Sequence, residues 1–331
     1  VIHVFMPMIF LVLALINGCQ DPGKSGNLVP KTVDEDPSLP ALEFNNSKFH
    51  VETFGVPSKP VIIMLHGGPG NDYRYLLPLK ERHNNYSLVD DYFLVFWDQR
   101  GCGLSQRHDR SELTLDKYAQ DLDQLVEHFA PNNKPVVFIG HSWGGQYAAQ
   151  YMDRHPKRMS GCVMMEPGPL SAELGKKLTT IKINPVAIWL NDWMWGRQLV
   201  AASDHERADY YLALGVLSQE EVKPERHSKP VPGWRMGTAV SLYLAMEALG
   251  SGSHFDFTQH LSEVEVPILF VVGGNTEDLG ADFQRIQMKP FKSSALEIIP
   301  NAGHNEIAFS EAGQSVAKIR KYLDALNLRR P

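Results

Sequence analysis

One pentapeptide limits the fold of this 331-residue chain more than any other feature. Gly140-His141-Ser142-Trp143-Gly144 lies between a continuous apolar run, Pro135 to Gly140, and a stretch of helical character, Gly144 to His155, that Pro156 stops. A Gly-x-Ser-x-Gly in that context is a sharp strand-to-helix turn. The turn holds its serine in a sparsely populated backbone conformation, and flanking glycines remove side chains that would collide across it. Such a turn needs a sheet beneath it, and the rest of the chain supplies one. Val61 to Leu65, Tyr92 to Trp97, Gly161 to Met165, Val266 to Val272 and Leu296 to Ile299 read as buried strands. Leu115 to Phe129, with Thr114 as its cap, and Ser310 to Leu328 read as amphipathic helices. Strands alternating with helices predict an α/β fold with a mostly parallel central sheet.

The alternation begins near Phe49, fails after Gly168 and resumes near residue 262. The expected organisation is therefore a first core segment over 45–168, a helical cap over 169–261 and a second core segment over 262–331. Trp189, Trp193, Trp195 and Trp234 fall in the cap, where they either line an apolar pocket or form the cap's own core. Upstream, Phe5 to Ile16 is apolar but too short to cross a bilayer as a helix. It ends at Leu15-Ile16-Asn17-Gly18-Cys19, which resembles a bacterial lipobox, in which the Cys is lipidated. Residues 1–18 are thus expected to be a lipoprotein-type signal peptide, and Cys19 a lipid anchor. Gln20 to about Pro40 is rich in Pro, Gly, Ser, Asp and Lys, and residues 19–44 are expected to be a flexible tether. On this reading the protein is exported and held at a membrane of the cell envelope.

The formal net charge of −6, without any long Lys/Arg block, argues against a nucleic-acid partner. Cys102 and Cys162 are expected to be unpaired, and no Cys/His cluster has the spacing of a structural zinc site.

A serine hydroxyl is a weak nucleophile at neutral pH. It needs a base within hydrogen-bond reach and an acid that holds the base in its useful tautomer. In folds with this turn the chain order is serine, acid, histidine. His304, in the loop after the last strand, is the expected base. The acid is expected after the preceding strand, where Glu277 and Asp278 are neighbours, with Asp278 favoured. His66 and His141 adjoin glycine turns and are expected to support them. A tetrahedral oxyanion needs two aligned N–H donors. Trp143, next to the nucleophile, is expected to give one, and Gly68, in the turn His66-Gly67-Gly68-Pro69-Gly70, the other.

That turn, the segment Trp97-Asp98-Gln99-Arg100-Gly101-Cys102-Gly103-Leu104-Ser105, and Gly140-His141-Ser142-Trp143-Gly144-Gly145 together resemble the prolyl iminopeptidase family of α/β-hydrolases. The resemblance implies an α/β-hydrolase fold with a helical cap. It also implies an enzyme that removes an N-terminal residue, usually proline, with no metal or organic cofactor. Carried over, Ser142, Asp278 and His304 form the triad, Gly68 and Trp143 the oxyanion donors, and Asp98 and Arg100 brace the loops. The family neutralises the substrate ammonium with cap glutamates, and Glu166 and Glu247 are the candidates here. The expected activity is release of proline or another small apolar residue from short peptides through an acyl-enzyme on Ser142. An esterase, amidase or lactonase with the same triad is the alternative, and a non-catalytic binding lipoprotein a third. The expected partners are a small peptide or a small-molecule ester or amide, with the membrane engaged only through Cys19.

Overall fold

The structure, a computed structural model, describes residues 30–178, 231–249 and 255–328. The expected signal peptide, Cys19, most of the cap and Trp189, Trp193 and Trp195 lie outside the described residues. From Lys31 onward the described residues belong to one compact unit.

Its centre is an eight-stranded sheet in the order β1-β2-β4-β3-β5-β6-β7-β8. The strands are β1 (Ala41–Phe44), β2 (Ser47–Phe54), β3 (Val61–Leu65), β4 (Phe93–Trp97), β5 (Val136–His141), β6 (Gly161–Met165), β7 (Ile268–Gly273) and β8 (Ser294–Ile299). β1 and β2 run antiparallel to their neighbours, and all other pairings are parallel. The described helices are α1 (Leu115–Phe129), α2 (Trp143–Arg154), the single turn α3 (Ala172–Gly175), α4 (Thr238–Leu249), α5 (Ala281–Gln287) and α6 (Ala312–Ala325). Thr114 accepts a hydrogen bond from the N–H of Lys117 and so caps α1.

The central strands are buried on both faces because successive side chains enter different cores. Ile63, Leu65, Val95, Trp97 and Phe138 meet Tyr118 and Leu122 of α1 and Tyr147 of α2 on one side. Ile62, Met64, Phe96 and Ile139 meet Tyr75, Leu79 and, from α6, Val316 and Ile319 on the other. This double burial explains the unbroken apolar runs in the sequence.

The hairpin β1–β2 has no counterpart in the sequence reading. Asn45 and Asn46, at φ 47° and 55°, form its two-residue turn, a conformation that asparagine tolerates better than most residues. The expected tether, 19–44, therefore ends too late. Val33 is already buried and donates its N–H to the carbonyl of Leu104, and β1 then adds to the edge that β2 offers. Arg100, fully buried, joins this edge to the core. Its Nε and Nη2 donate to the two oxygens of Asp121 on α1 at 2.7 and 2.8 Å, and Nη2 also donates to the carbonyl of Asn45 at 3.0 Å.

Candidate active site

The site forms at the carboxyl ends of β3, β5, β6, β7 and β8. Ser142 follows β5 with φ 56° and ψ −119°, and heads α2. Glycine is required on both sides. A Cβ at Gly140 would strike the carbonyl of Gly144, and one at Gly144 would strike the carbonyls of Leu65 and His66. Ser142 is half-buried, anchored by its N–H to the carbonyl of Met165 at 2.9 Å. Trp143 takes the first helical position, where an N–H has no intrahelical acceptor and points out of the helix end.

The turn after β3 lies against this elbow. A Cβ at Gly67 would come within 3.0 Å of the Ser142 Cβ, and exposed Gly68 has φ 119° and a cis bond to Pro69. Gln99 ties the two together: its Nε2 donates to the carbonyl of His66 at 3.0 Å, and its Oε1 accepts from the Trp143 indole at 2.9 Å. The two expected oxyanion donors, Gly68 and Trp143, thus sit on turns that are pinned to each other. Asp98, next in sequence, accepts from the N–H groups of Tyr73 and Leu104 and contacts His50 at 2.8 Å, so it is a brace.

His304 lies in the loop after β8, and its Nδ1 donates to Glu166 Oε2 at 2.6 Å. Glu166 is the first residue after β6, fully buried, with φ 43°. Its other oxygen accepts from the N–H of Gly273, the last residue of β7, at 2.6 Å. That glycine is needed, because a Cβ there would strike the carbonyls of Ala302 and Gly303 in the base loop. The carboxylate that His304 Nδ1 meets is thus that of Glu166, where Asp278 was the expected acid. Asp278 and Glu277 are both exposed in the turn beyond β7. The register gives the reason: His141 pairs with Met165, so the residue after β6 emerges opposite Ser142, one strand nearer than the turn beyond β7.

Glu166 was expected to receive a substrate amine, and its two oxygens are instead engaged by His304 and Gly273. Glu247 is exposed and accepts from the N–H of Leu115 at the start of α1, at 3.0 Å, so it also has a structural partner. Trp234 stacks edge-on against Tyr73 and His50, which makes it packing for the loop beyond the glycine turn. Residues 231–237 fasten to that loop: Trp234 and Arg235 donate their N–H groups to Asp72, and Gly237 donates to the carbonyl of Gly70. Burial, aided by the Asp98 carboxylate, raises the Asp72 carboxyl to about 7.

Two groups of site residues escaped the sequence reading. Gln284 and Gln287 of α5 donate to the carbonyl of Pro167, directly behind Glu166, and Gln287 also accepts from the N–H of Leu170. Their signal was two glutamines three apart on a buried helical face. The other is Tyr75, whose hydroxyl contacts both Gly67 and His141. Its signal was a tyrosine at fixed distance from the glycine turn.

The arrangement provides a serine on a strained turn, a histidine that meets a buried carboxylate, and, packed against that serine, the turn that carries the expected donor Gly68. That set is suited to acyl transfer. Known proteins agree in kind. The sequence profile of the alpha/beta hydrolase fold matches residues 60–309. A proline iminopeptidase from Saccharolobus solfataricus is 25% identical over 285 residues, which is 80% of this chain and 84% of that protein. The crystal structure of a proline iminopeptidase from Mycobacterium smegmatis superposes with a TM-score of 0.59 at 18% identity, covering 87% of this chain and 98% of that one. A thermophilic esterase from Thermogutta terrifontis gives 0.56 at 19% identity, covering 86% and 97%.

Proposed function

Because the chain belongs to the alpha/beta hydrolase fold family, we propose that this serine hydrolase is an aminopeptidase that releases proline or another small apolar residue from the N-terminus of short peptides. The observation that carries the catalytic part is the 2.6 Å bond between His304 Nδ1 and Glu166, beside the elbow that bears Ser142. The peptidase part is supported by similarity to proline iminopeptidases over most of the chain.

In this reading Glu166 holds the proton of His304 on Nδ1, which leaves Nε2 as the base. Nε2 takes the Ser142 proton as Oγ bonds to the scissile carbonyl carbon. The resulting oxyanion is held by the N–H groups of Gly68 and Trp143. The C–N bond then breaks, the leaving amine takes the proton from His304, and an acyl-enzyme remains on Ser142. Water, deprotonated by the same Nε2, releases the free amino acid and restores the hydroxyl.

An esterase reading has one observation in its favour: both carboxylates expected to meet a substrate ammonium, Glu166 and Glu247, accept hydrogen bonds from the protein itself. The two readings separate with a prolyl arylamide and an uncharged acyl ester assayed side by side. Turnover of the arylamide, lost in Ser142→Ala, is expected; turnover of the ester alone overturns the peptidase reading. Attachment to the cell envelope through Cys19 belongs to the same proposal, supported by the segment Leu15 to Cys19. Mass analysis of the mature N-terminus tests it, and an unmodified Cys19 in membrane extracts overturns it.

A further inference from the structure

Three loops far apart in sequence meet at the site: the glycine turn after β3, the elbow after β5 and the base loop after β8. Buried polar groups join them in one line. The N–H of Gly67 donates to the Tyr75 hydroxyl at 2.7 Å, that hydroxyl lies 2.8 Å from His141 Nδ1, and His141 Nε2 lies 2.8 Å from the carbonyl oxygen of His304. Tyr75 is 1% and His141 2% exposed, so water does not compete for these bonds.

The geometry fixes the direction of every bond. A carbonyl oxygen only accepts, so His141 Nε2 carries a proton and donates it to His304. Burial, with the neighbouring His304 adding to it, holds the His141 imidazole well below its ordinary range and hence neutral, so Nδ1 is bare and must accept. The single hydroxyl proton of Tyr75 therefore goes to His141, and a Tyr75 lone pair receives the Gly67 N–H. No member can reverse without leaving a buried donor facing a donor, at the cost of an unmet hydrogen bond.

We infer that Tyr75 and His141 are positioning residues: a relay of fixed polarity that sets the oxyanion turn and the backbone of the catalytic base relative to the nucleophile. Gly67 precedes the expected donor Gly68, so its orientation sets where the Gly68 N–H aims. His141 precedes Ser142, and its ring lies tilted against that of His304, at 4.6 Å between centroids with 37° between planes. An uncharged ring there is also compatible with the positive charge that His304 gains when it takes the serine proton. Ser142 thus lies at the junction of a link that spans the whole apparatus, and an error of an ångström at such a junction costs rate rather than affinity.

The inference rests on the serine-hydrolase chemistry and not on the choice of peptide or ester, so the test uses a fluorophosphonate, which reacts with an activated serine whatever the natural substrate. Tyr75→Phe, His141→Phe, the double variant and His141→Gln are compared with wild type. The readouts are the rate of phosphonylation and, on whichever substrate the wild type turns over, kcat and KM. Tyr75→Phe and His141→Phe are each expected to lower phosphonylation and kcat by about 10- to 100-fold with KM within about threefold. The double variant is expected to be no slower than the slower single one, because one line is broken once or twice with the same result. His141→Gln retains an amide that can donate to the His304 carbonyl and is expected to recover part of the rate.

Tyr75→Phe removes one oxygen and keeps the ring, so it serves if His141→Phe does not fold. A Tyr75→Phe rate within twofold of wild type, losses that multiply in the double variant, or an effect confined to KM overturns the relay. An unlabelled wild-type protein overturns the serine-hydrolase reading and the relay together; a labelled wild type with unaffected variants overturns the relay alone.

Discussion

At the scale of single residues, both oxygens of Glu166 accept, one from His304 and one from Gly273, so the site has no room for a donor at this position. Glu166→Gln places an NH2 group against one of those two N–H donors. If it faces Gly273, a strand end loses its partner; if it faces His304, the imidazole is pushed into the wrong tautomer. Facing His304, the amide is expected to lower kcat by about 10⁴-fold, as when the acid of a serine triad becomes an amide; facing Gly273, it leaves the Nδ1 acceptor in place and the expected fall is smaller. Asp278→Asn, made in the exposed turn after β7, is expected to stay within about twofold. Equal losses in the two variants, measured on one substrate, would reassign the acid. The elbow that bears Ser142 and the glycine turn after β3 were legible as turns because glycine spacing marks them, and the loop of His304 because it follows the last strand. The carboxylate that meets His304 was not, since an acidic pair in a loop after a strand is a stronger pattern than one glutamate at a strand end. What betrays Glu166 is physical: a carboxylate immediately after five buried apolar residues, and before Pro167, needs a partner in the interior.

Among the elements, the hairpin β1–β2, the loop after β4 and helix α1 share a single fastening, the Arg100–Asp121 pair. Arg100 has both a bidentate partner and complete burial, and Asp121 is 1% exposed. Removing one member strands the other charge in the interior, which is expected to cost about 3–5 kcal/mol. Urea unfolding of Asp121→Ala checks this, and a loss below about 1 kcal/mol would mean that water reaches the guanidinium. The parallel strands and α1 were legible because they obey one period each, continuous burial for strands and a 3.6-residue stripe for the helix. The hairpin was not. β1 alternates exposed with half-buried residues, and its stability comes from pairing with β2, a long-range contact that leaves no apolar run of its own. Elements made by pairing rather than by their own burial escape a reading of local pattern.

For the whole molecule, a parallel sheet buried on both faces brings five strand ends to one edge, and the neutral histidines beneath that edge couple the fold to pH. His66 and His141 are 0% and 2% exposed, and burial lowers the affinity of both rings for protons. Hydrogen bonding agrees. The N–H of Gln99 donates to His66 Nε2, so Nδ1 carries the proton and donates to the carbonyl of Gly67. In the unfolded chain each would titrate near 6.5. Below that pH the unfolded state binds protons that the native state refuses, so stability should fall as pH drops through 6.5, by up to about 1.4 kcal/mol per histidine per pH unit. Asp72 acts in the opposite sense. Its native carboxyl titrates at about 7, above the unfolded range near 3.9, so between these values the native state holds a proton that the unfolded state releases. Its contribution grows as pH falls and partly offsets the histidines. Urea midpoints at intervals from pH 7.5 to 4.5 are therefore expected to decline in wild type, more gently in His141→Gln, which removes one refusing ring, and more steeply in Asp72→Asn, which removes the opposing carboxyl while keeping an oxygen for the N–H groups of Trp234 and Arg235. Parallel curves for the three proteins would show that these buried groups exchange protons with solvent as freely in the native state as in the unfolded one.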